Sequence, residues 1–154
     1  MKILVTGGTG VLGHEVVNRI VGDKHHVKVL STQCKTLLPK DVEFVKGDLA
    51  LNLGLNEAVV DSEIIIHCAS NPKDPKNTDI QGTFNLLKAI NKSKIQHFVY
   101  ISIVGVDQTA YPYYRAKYEV EDIIAKSGAP YSIFAYHAIS RFCIQSYKAI
   151  YIRV

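Results

Sequence analysis

The stretch KILVTGGTGVLG, Lys2 to Gly13, decides how this chain is read. Five residues, mostly aliphatic, run into glycines at 7, 8, 10 and 13, and these overlap VLGHEVVNRIVG at 11–22, whose apolar residues recur at helical spacing. A glycine pattern is a weak signal alone and a strong one between a strand and a helix, because that turn can cradle a phosphate. Gly7 allows the tight turn, Gly10 lets the backbone approach a pyrophosphate, and Gly13 lets the helix pack close to the sheet. The helix N-terminus presents unpaired N–H groups and a partial positive charge to the phosphates. Gly7, Thr9, Gly10, Val11, Leu12 and Gly13 are therefore the expected dinucleotide-binding turn.

The same alternation continues outward from that turn. HVKVL (26–30), VEFVKG (42–47), EIIIHCA (63–69), HFVYIS (97–102) and YSIFA (131–135) read as strands, and TDIQGTFNLLKAINKS (78–93) and YYRAKYEVEDIIAKSG (113–128) as helices. Continuous apolar runs mark strands buried on both faces, with helices supplying the crossovers. The expected fold is α/β, a Rossmann-type doubly wound parallel sheet that ends after the sixth strand. Ile80, Phe84, Leu87 and Ile90 form one helical stripe, and Val120, Ile123 and Ile124 another; both are expected in the core. Pro39 and the short stretch from Ser31 to Asp41 leave little room for a helix between the second and third strands.

Composition narrows the class. With 154 residues, 47% of them apolar and 21% charged, the chain suits one well-buried domain. No apolar run approaches the roughly 20 residues that span a bilayer, and Lys2–Val5 meets glycine too early for a signal peptide, so a cytoplasmic protein without membrane partners is expected. Cys34, Cys68 and Cys143 are widely separated and contain no CxxC pair, which points to neither a disulfide framework nor a metal site; small buried hydrophobes are expected. The formal charge of +4 is concentrated in residues 134–154, where Arg141, Lys148 and Arg153 meet no acid. The preceding part carries 15 basic against 14 acidic residues, and no basic stripe interleaved with aromatics, so nucleic acid is not an expected partner.

At the adenosine end, an NAD-preferring site places an acidic residue at the end of the second strand to accept from the ribose 2′-OH. Here Ser31 and Thr32 stand there, with Lys35 close by, and the expected cofactor is NADP(H) rather than NAD(H). Asp48 after the third strand has two readings, an acceptor for the adenine amino group or a turn residue. Tyr113 and Lys117 are four residues apart and share one helix face. An ammonium near a phenol lowers the phenol pKa, which makes Tyr113 a general acid for a carbonyl receiving a hydride, while Lys117 can also hold the nicotinamide ribose.

Taken together, TGGTGVLG (6–13), GDL (47–49), IIHCAS (65–70), DIQGTFNLLKA (79–89), FVYISIVGVD (98–107), YYRAKYEVED (113–122) and SGAPYSI (127–133) resemble the short-chain dehydrogenase/reductase superfamily, in its extended or atypical form close to the NmrA-like proteins. The resemblance runs from Lys2 to about Ile133. It implies an NAD(P)H-dependent oxidoreductase acting on a small-molecule carbonyl or similar acceptor. It also implies a catalytic set of Ser102, Tyr113 and Lys117, with Asp48, Leu49, Cys68, Ala69 and Ser70 lining the nucleotide site. In extended members the catalytic hydroxyl lies a little beyond the first serine of its strand, whereas this chain continues Ile103-Val104-Gly105. NmrA-like relatives include dinucleotide-binding regulators that perform no reduction, so a non-catalytic sensing module is the alternative.

From Phe134 the resemblance stops. Many members continue with a segment like Leu-Arg-x-Thr-Gln-Phe-His-Asp-Phe-Val, and Phe134 to Cys143 reads FAYHAISRFC instead. Back-translated and read one nucleotide further along, the observed residues admit Leu, Arg, Ile or Thr, Thr, Gln, Phe, His, Asp, Phe and Val in that order. The expectation is a frame shift near codon 133 or 134, biological or an error of the recorded sequence. That divides the chain into a dinucleotide-binding domain over 1–135 and an out-of-frame tail over 136–154, which ends at a chance stop and leaves the substrate-binding segment absent.

Overall fold

β1 (Lys2–Thr6) sits inside a parallel sheet with Ile3, Leu4 and Val5 all buried, as a continuous apolar run requires when both faces are covered. In this computed structural model the described residues are 1–33, 38–90, 95–136 and 151–153. Cys34, Lys35, Cys143, positions 91–93 of the expected helix, and tail residues 137–150 and 154 lie outside them. β1 is flanked in parallel by β2 (His26–Ser31) on one side and β4 (Ile64–His67) on the other. β3 (Glu43–Lys46) extends the sheet beyond β2, and β5 (His97–Ile103) and β6 (Tyr131–Tyr136) extend it beyond β4. These six parallel strands are the doubly wound α/β sheet expected. A short strand the sequence reading does not contain, β7 (Tyr151–Arg153), pairs antiparallel with β6 at the edge.

The strand order β3-β2-β1-β4-β5-β6-β7 reverses direction between β1 and β4. A crevice opens at the carboxyl ends of strands where such an order reverses, and the glycine turn leaves β1 at that point. α1 (Val11–Gly22) covers one face of the sheet, where Val17 meets Ile3, Val5, Val27 and Val29. The opposite face is covered by α2 (Leu55–Val59), α3 (Gly82–Ile90) and α4 (Pro112–Lys126), which bury Leu55, Leu86, Val120 and Ile124 against Leu4, Ile65 and Phe98. No helix among the described residues is long and apolar enough to cross a membrane.

Two elements differ from expectation. α2 spans only five residues, too few to show a helical period in sequence, and is held by burial of Leu55, Ala58 and Val59. The expected helix over 78–93 begins instead with a π-helical segment, Lys76–Gln81, which passes into α3. Phe84 is 44% exposed rather than in the core, with Lys88 Nζ 4.4 Å from its ring centroid. Thr83 is held inward by hydrogen bonds to His67 and to the Asp79 carbonyl, so the buried face is centred on Thr83, Leu87 and Ile90. Phe84 stands about 100° further round the helix, outside that face.

Candidate functional site

The glycine turn is shaped by backbone that only glycine fits. Gly7 has φ of 68°, and a Cβ there would lie 2.6 Å from Ala69 Cα. Its N–H donates to the Leu30 carbonyl at 3.0 Å, and its own carbonyl accepts from Gly10 N–H at 2.9 Å. Gly13 packs against that same Gly7 carbonyl, so it brings the helix close to the turn itself. Gly8, which the sequence reading passes over, lets the turn lie on β2, since a Cβ there would meet Val29 at 2.8 Å. Gly10 is different: only the Gly7 carbonyl, 3.2 Å away, is near its missing Cβ. As N-cap of α1 it supplies no side-chain hydrogen bond, so the first-turn N–H groups at Val11, Leu12 and Gly13 point out of an uncapped helix end.

In front of this turn lies a cavity of about 410 Å³, within the range of small-ligand sites. Its walls are Gly7, Thr9 and Gly10, then Leu30, Ser31, Thr32 and Gln33 at the end of β2, then Gly47, Asp48 and Leu49 after β3. Cys68, Ala69, Ser70 and Asn71 after β4 close it. A larger open cleft of about 1080 Å³ runs between 75–80, 106–110 and the outer side of α4, and contains none of the expected site residues. Ser31 Oγ lies 2.6 Å from Thr9 Oγ1 and accepts from Gln33 N–H at 3.1 Å, so β2 and the turn are tied together at the mouth. Asp48 accepts from the amides of Ala50 and Leu51 through Oδ1 at 2.8 and 3.2 Å; this is the turn role, and Oδ2 has no hydrogen-bond partner among the described residues. Burial pushes the Cys68 thiol up to about 12, against a smaller opposing effect of the Lys117 charge, which leaves it an inert wall.

Ser70 and Asn71 of the cavity wall also belong to a second group of residues. Tyr113 opens the first turn of α4, behind Pro112 at its N-terminal position, where a missing N–H costs nothing. Its hydroxyl lies 2.8 Å from Ser70 Oγ. Ser70 in turn donates to Asp79 Oδ1 at 2.5 Å, so its single proton is committed and it can only accept from Tyr113. Asp79 is 1% exposed. Its Oδ2 accepts from Asn71 N–H at 3.0 Å, and Lys117 Nζ stands 3.4 Å from its Oδ1. Every neighbour is a donor, which is the surrounding of a carboxylate. Lys117 also donates to the Ile101 carbonyl at 3.2 Å, with the Tyr100 ring centroid 4.8 Å and the Tyr113 ring centroid 5.8 Å from Nζ. Burial lowers the Lys117 pKa, and Asp79 opposes that shift.

A buried chain of hydrogen bonds joins the glycine turn to this cluster. Thr83 donates to the Asp79 carbonyl at 2.5 Å, so it must accept from His67 Nε2 at 2.9 Å. His67 Nδ1 is then the acceptor for Thr6 Oγ1 at 2.6 Å, and Thr6 Oγ1 accepts from Ala69 N–H at 3.4 Å. Each proton has one place, and the imidazole is held neutral with its hydrogen on Nε2. Burial, with a smaller push from Lys117, lowers the His67 pKa to about 3.

The NmrA-like family matches residues 1–153 of this chain. The chain belongs to that family. It is similar to the photosystem II assembly factor Ycf39 of Cyanophora paradoxa, 30% identical over 142 residues that cover 87% of this chain and 44% of that protein. Ycf39 of Synechocystis sp. is 26% identical over 141 residues, 86% of this chain and 43% of that protein. The chain thus spans less than half the length of these relatives. Among solved structures, a UDP-glucuronic acid 4-epimerase from Bacillus cereus in complex with NAD superposes with a TM-score of 0.78 at 23% identity, over 90% of this chain and 56% of that one. A UDP-glucose 4-epimerase from Thermotoga maritima with UDP-glucose gives 0.75 at 22%, over 86% and 54%. These likenesses establish the fold.

Within this NmrA-like fold the structure corrects two sequence expectations. Ser102 is not brought to Tyr113: its Oγ is fully buried and donates to Glu121 Oε1 on α4 at 2.5 Å, so it braces β5 against the helix. Ser70, expected only to line the nucleotide site, holds the tyrosine instead. Lys117 does share a face of α4 with Tyr113, yet its charge is turned to Asp79 and the Ile101 carbonyl. The Tyr113 phenol is raised, not lowered, to about 12, chiefly by burial, with the Asp79 charge pushing the same way. Asp79 is not among the site residues expected from sequence. Its signal was present in NTDIQGTFNLLKAI, because Asp79, Thr83, Leu86 and Ile90 follow helical spacing and put a carboxylate on a buried stripe.

Proposed function

We propose that this NmrA-like chain carries the dinucleotide-binding half of a nicotinamide-dependent oxidoreductase, taking NADP(H) rather than NAD(H) and acting on a carbonyl or related small-molecule acceptor. The observation that carries the reading is Gly10. Its missing side chain faces the cavity beside an uncapped helix end, so the residues present fit a pyrophosphate held by Gly7, Thr9, Gly10 and the amides at Val11–Gly13. The absence of a carboxylate among Ser31, Thr32 and Gln33, and the engagement of Asp48 Oδ1 by backbone amides, support a 2′-phosphate at the ribose end.

The dinucleotide, when bound, supplies or accepts the hydride. Tyr113 remains a phenol at neutral pH, the state that a proton donor needs, and its proton must turn from Ser70 to the acceptor oxygen. Ser70, in the cavity wall, holds that hydroxyl at 2.8 Å. The test is fluorescence titration of the wild type and Gly10→Val with NADPH and NADH. NADPH should bind more tightly than NADH, and binding should be lost in Gly10→Val; equal affinity of the two proteins would sink the assignment.

One observation favours a second reading, a dinucleotide-sensing module without turnover. The strand hydroxyl expected in the catalytic set faces Glu121, and the Tyr113 proton is held by Ser70. Incubation with NADPH and a panel of carbonyls and quinones separates the two, since consumption marks the oxidoreductase and binding alone the sensor.

A further inference from the structure

We propose that Asp79 is a positioning residue of this site: its one buried carboxylate holds Ser70, Asn71 and Lys117 at once, and through the Ser70 hydroxyl it aims the Tyr113 hydroxyl. The inference rests on the oxidoreductase reading given above. Among the described residues of the site nothing else joins three segments in this way. Ser70 and Asn71 lie on the loop after β4, Lys117 on α4, and Asp79 on the π-helical segment between them.

The donor directions leave one arrangement. Asp79 Oδ1 takes the Ser70 proton at 2.5 Å, Ser70 Oγ must then accept from Tyr113 at 2.8 Å, and the Tyr113 O–H vector is set by a carboxylate it never touches. The same Oδ1 draws Lys117 Nζ to 3.4 Å, while the ammonium stands 5.8 Å from the Tyr113 ring centroid. π-helical turns recur at functional sites because they aim a side chain where an α-turn would not. Asp79 occupies such a turn and is 1% exposed. Among the described residues, the groups facing Tyr113 are Ser70 from the β4 loop, Asp79 from the π-helical segment, Tyr114 and Lys117 from α4, Tyr100 from β5 and Tyr136 from β6. Asp79 is the only carboxylate among them.

The experiment is a titration of the full chain, ligand-free and labelled with [13Cζ]tyrosine, with the Tyr113 signal assigned by Tyr113→Phe. In the wild type Tyr113 should stay a phenol through pH 11, since its pKa lies near 12. In Asp79→Asn the midpoint should fall by about one unit, because the charge that disfavours phenolate is gone, while Asp79→Glu should keep it high. An unchanged midpoint in Asp79→Asn overturns the proposal, since a residue that merely supported the fold would not set the tyrosine's ionisation. Should Asp79→Asn fail to fold, Ser70→Ala carries the test, because it leaves the Asp79–Lys117 pair in place. The Tyr113 Cζ resonance at pH 8 should then move, and an unmoved resonance rejects the link. These measurements need no dinucleotide, so a protein that binds no NADPH but shows the Asp79 effect would reject the functional reading alone.

Discussion

His67 is where a single residue decides most. It is fully buried between Thr6 and Thr83, and its neutral form is the only one the surrounding protons allow. Its folded pKa, about 3, lies below the ordinary value of 6.5, so between these values the unfolded chain binds a proton that the folded chain refuses. Stability from this residue is therefore complete above pH 6.5 and is lost as pH falls toward 3. Between pH 7 and 5 it should amount to about 2 kcal/mol. Urea unfolding at the two pH values measures it, and the difference should shrink in His67→Gln. Gly7 is a second such residue. At φ of 68° and with Ala69 backbone at 2.6 Å, Gly7→Ala meets both torsional strain and a collision. It should lower stability by roughly 2–3 kcal/mol, read from the urea midpoint, and weaken NADPH binding with it.

At the scale of elements, α4 and the π-helical segment are coupled by one buried ion pair. Lys117 is 4% exposed and Asp79 1% exposed, so neither charge has water to turn to if the other is removed. Lys117→Met should cost about 3–5 kcal/mol for that reason, most of it the penalty of an unpaired carboxylate. Adding Asp79→Leu should recover part of the loss, since an apolar pair restores the balance that a lone charge upsets. Thermal melts of the two single variants and the double variant give the coupling directly; a double variant no more stable than Lys117→Met contradicts it. The sequence pattern revealed α1 and α4 because each is long and amphipathic. It did not reveal α2, whose five residues fold only against α3 and the sheet, nor the π-helical turn, which differs from an α-turn by a register that composition does not mark.

We propose that residues 136–154 are read out of frame, as the shifted triplets indicate. Pairing of 151–153 with β6 is backbone pairing at a sheet edge, which an extended segment of almost any composition can supply. Sequencing the gene through codons 130–154 and beyond tests the proposal. The frame one nucleotide along should stay open well past codon 154 and continue with family-like residues; a stop within a few codons of Phe134 in that frame refutes it.

What sequence alone determined follows from local physics. The turn at 7–13 and the alternation of strands and helices were legible because glycine torsions, burial on both strand faces and the helical period act within a dozen residues. Tyr113 and Lys117 could be placed on one helix face by the same argument. Which atoms they meet was decided only by tertiary structure. Ser70 is 43 residues from Tyr113, and Asp79 reaches Lys117 from another element altogether. Ser102, at the expected place in its strand, turned to Glu121. Hydrogen bonding in a buried site is settled by which donors and acceptors the fold brings within 3 Å or so, and by the rule that each proton is spent once. No window of sequence contains that count, so the roles of Ser70, Asp79 and Ser102 could only be read after β4, β5 and α4 had been packed together.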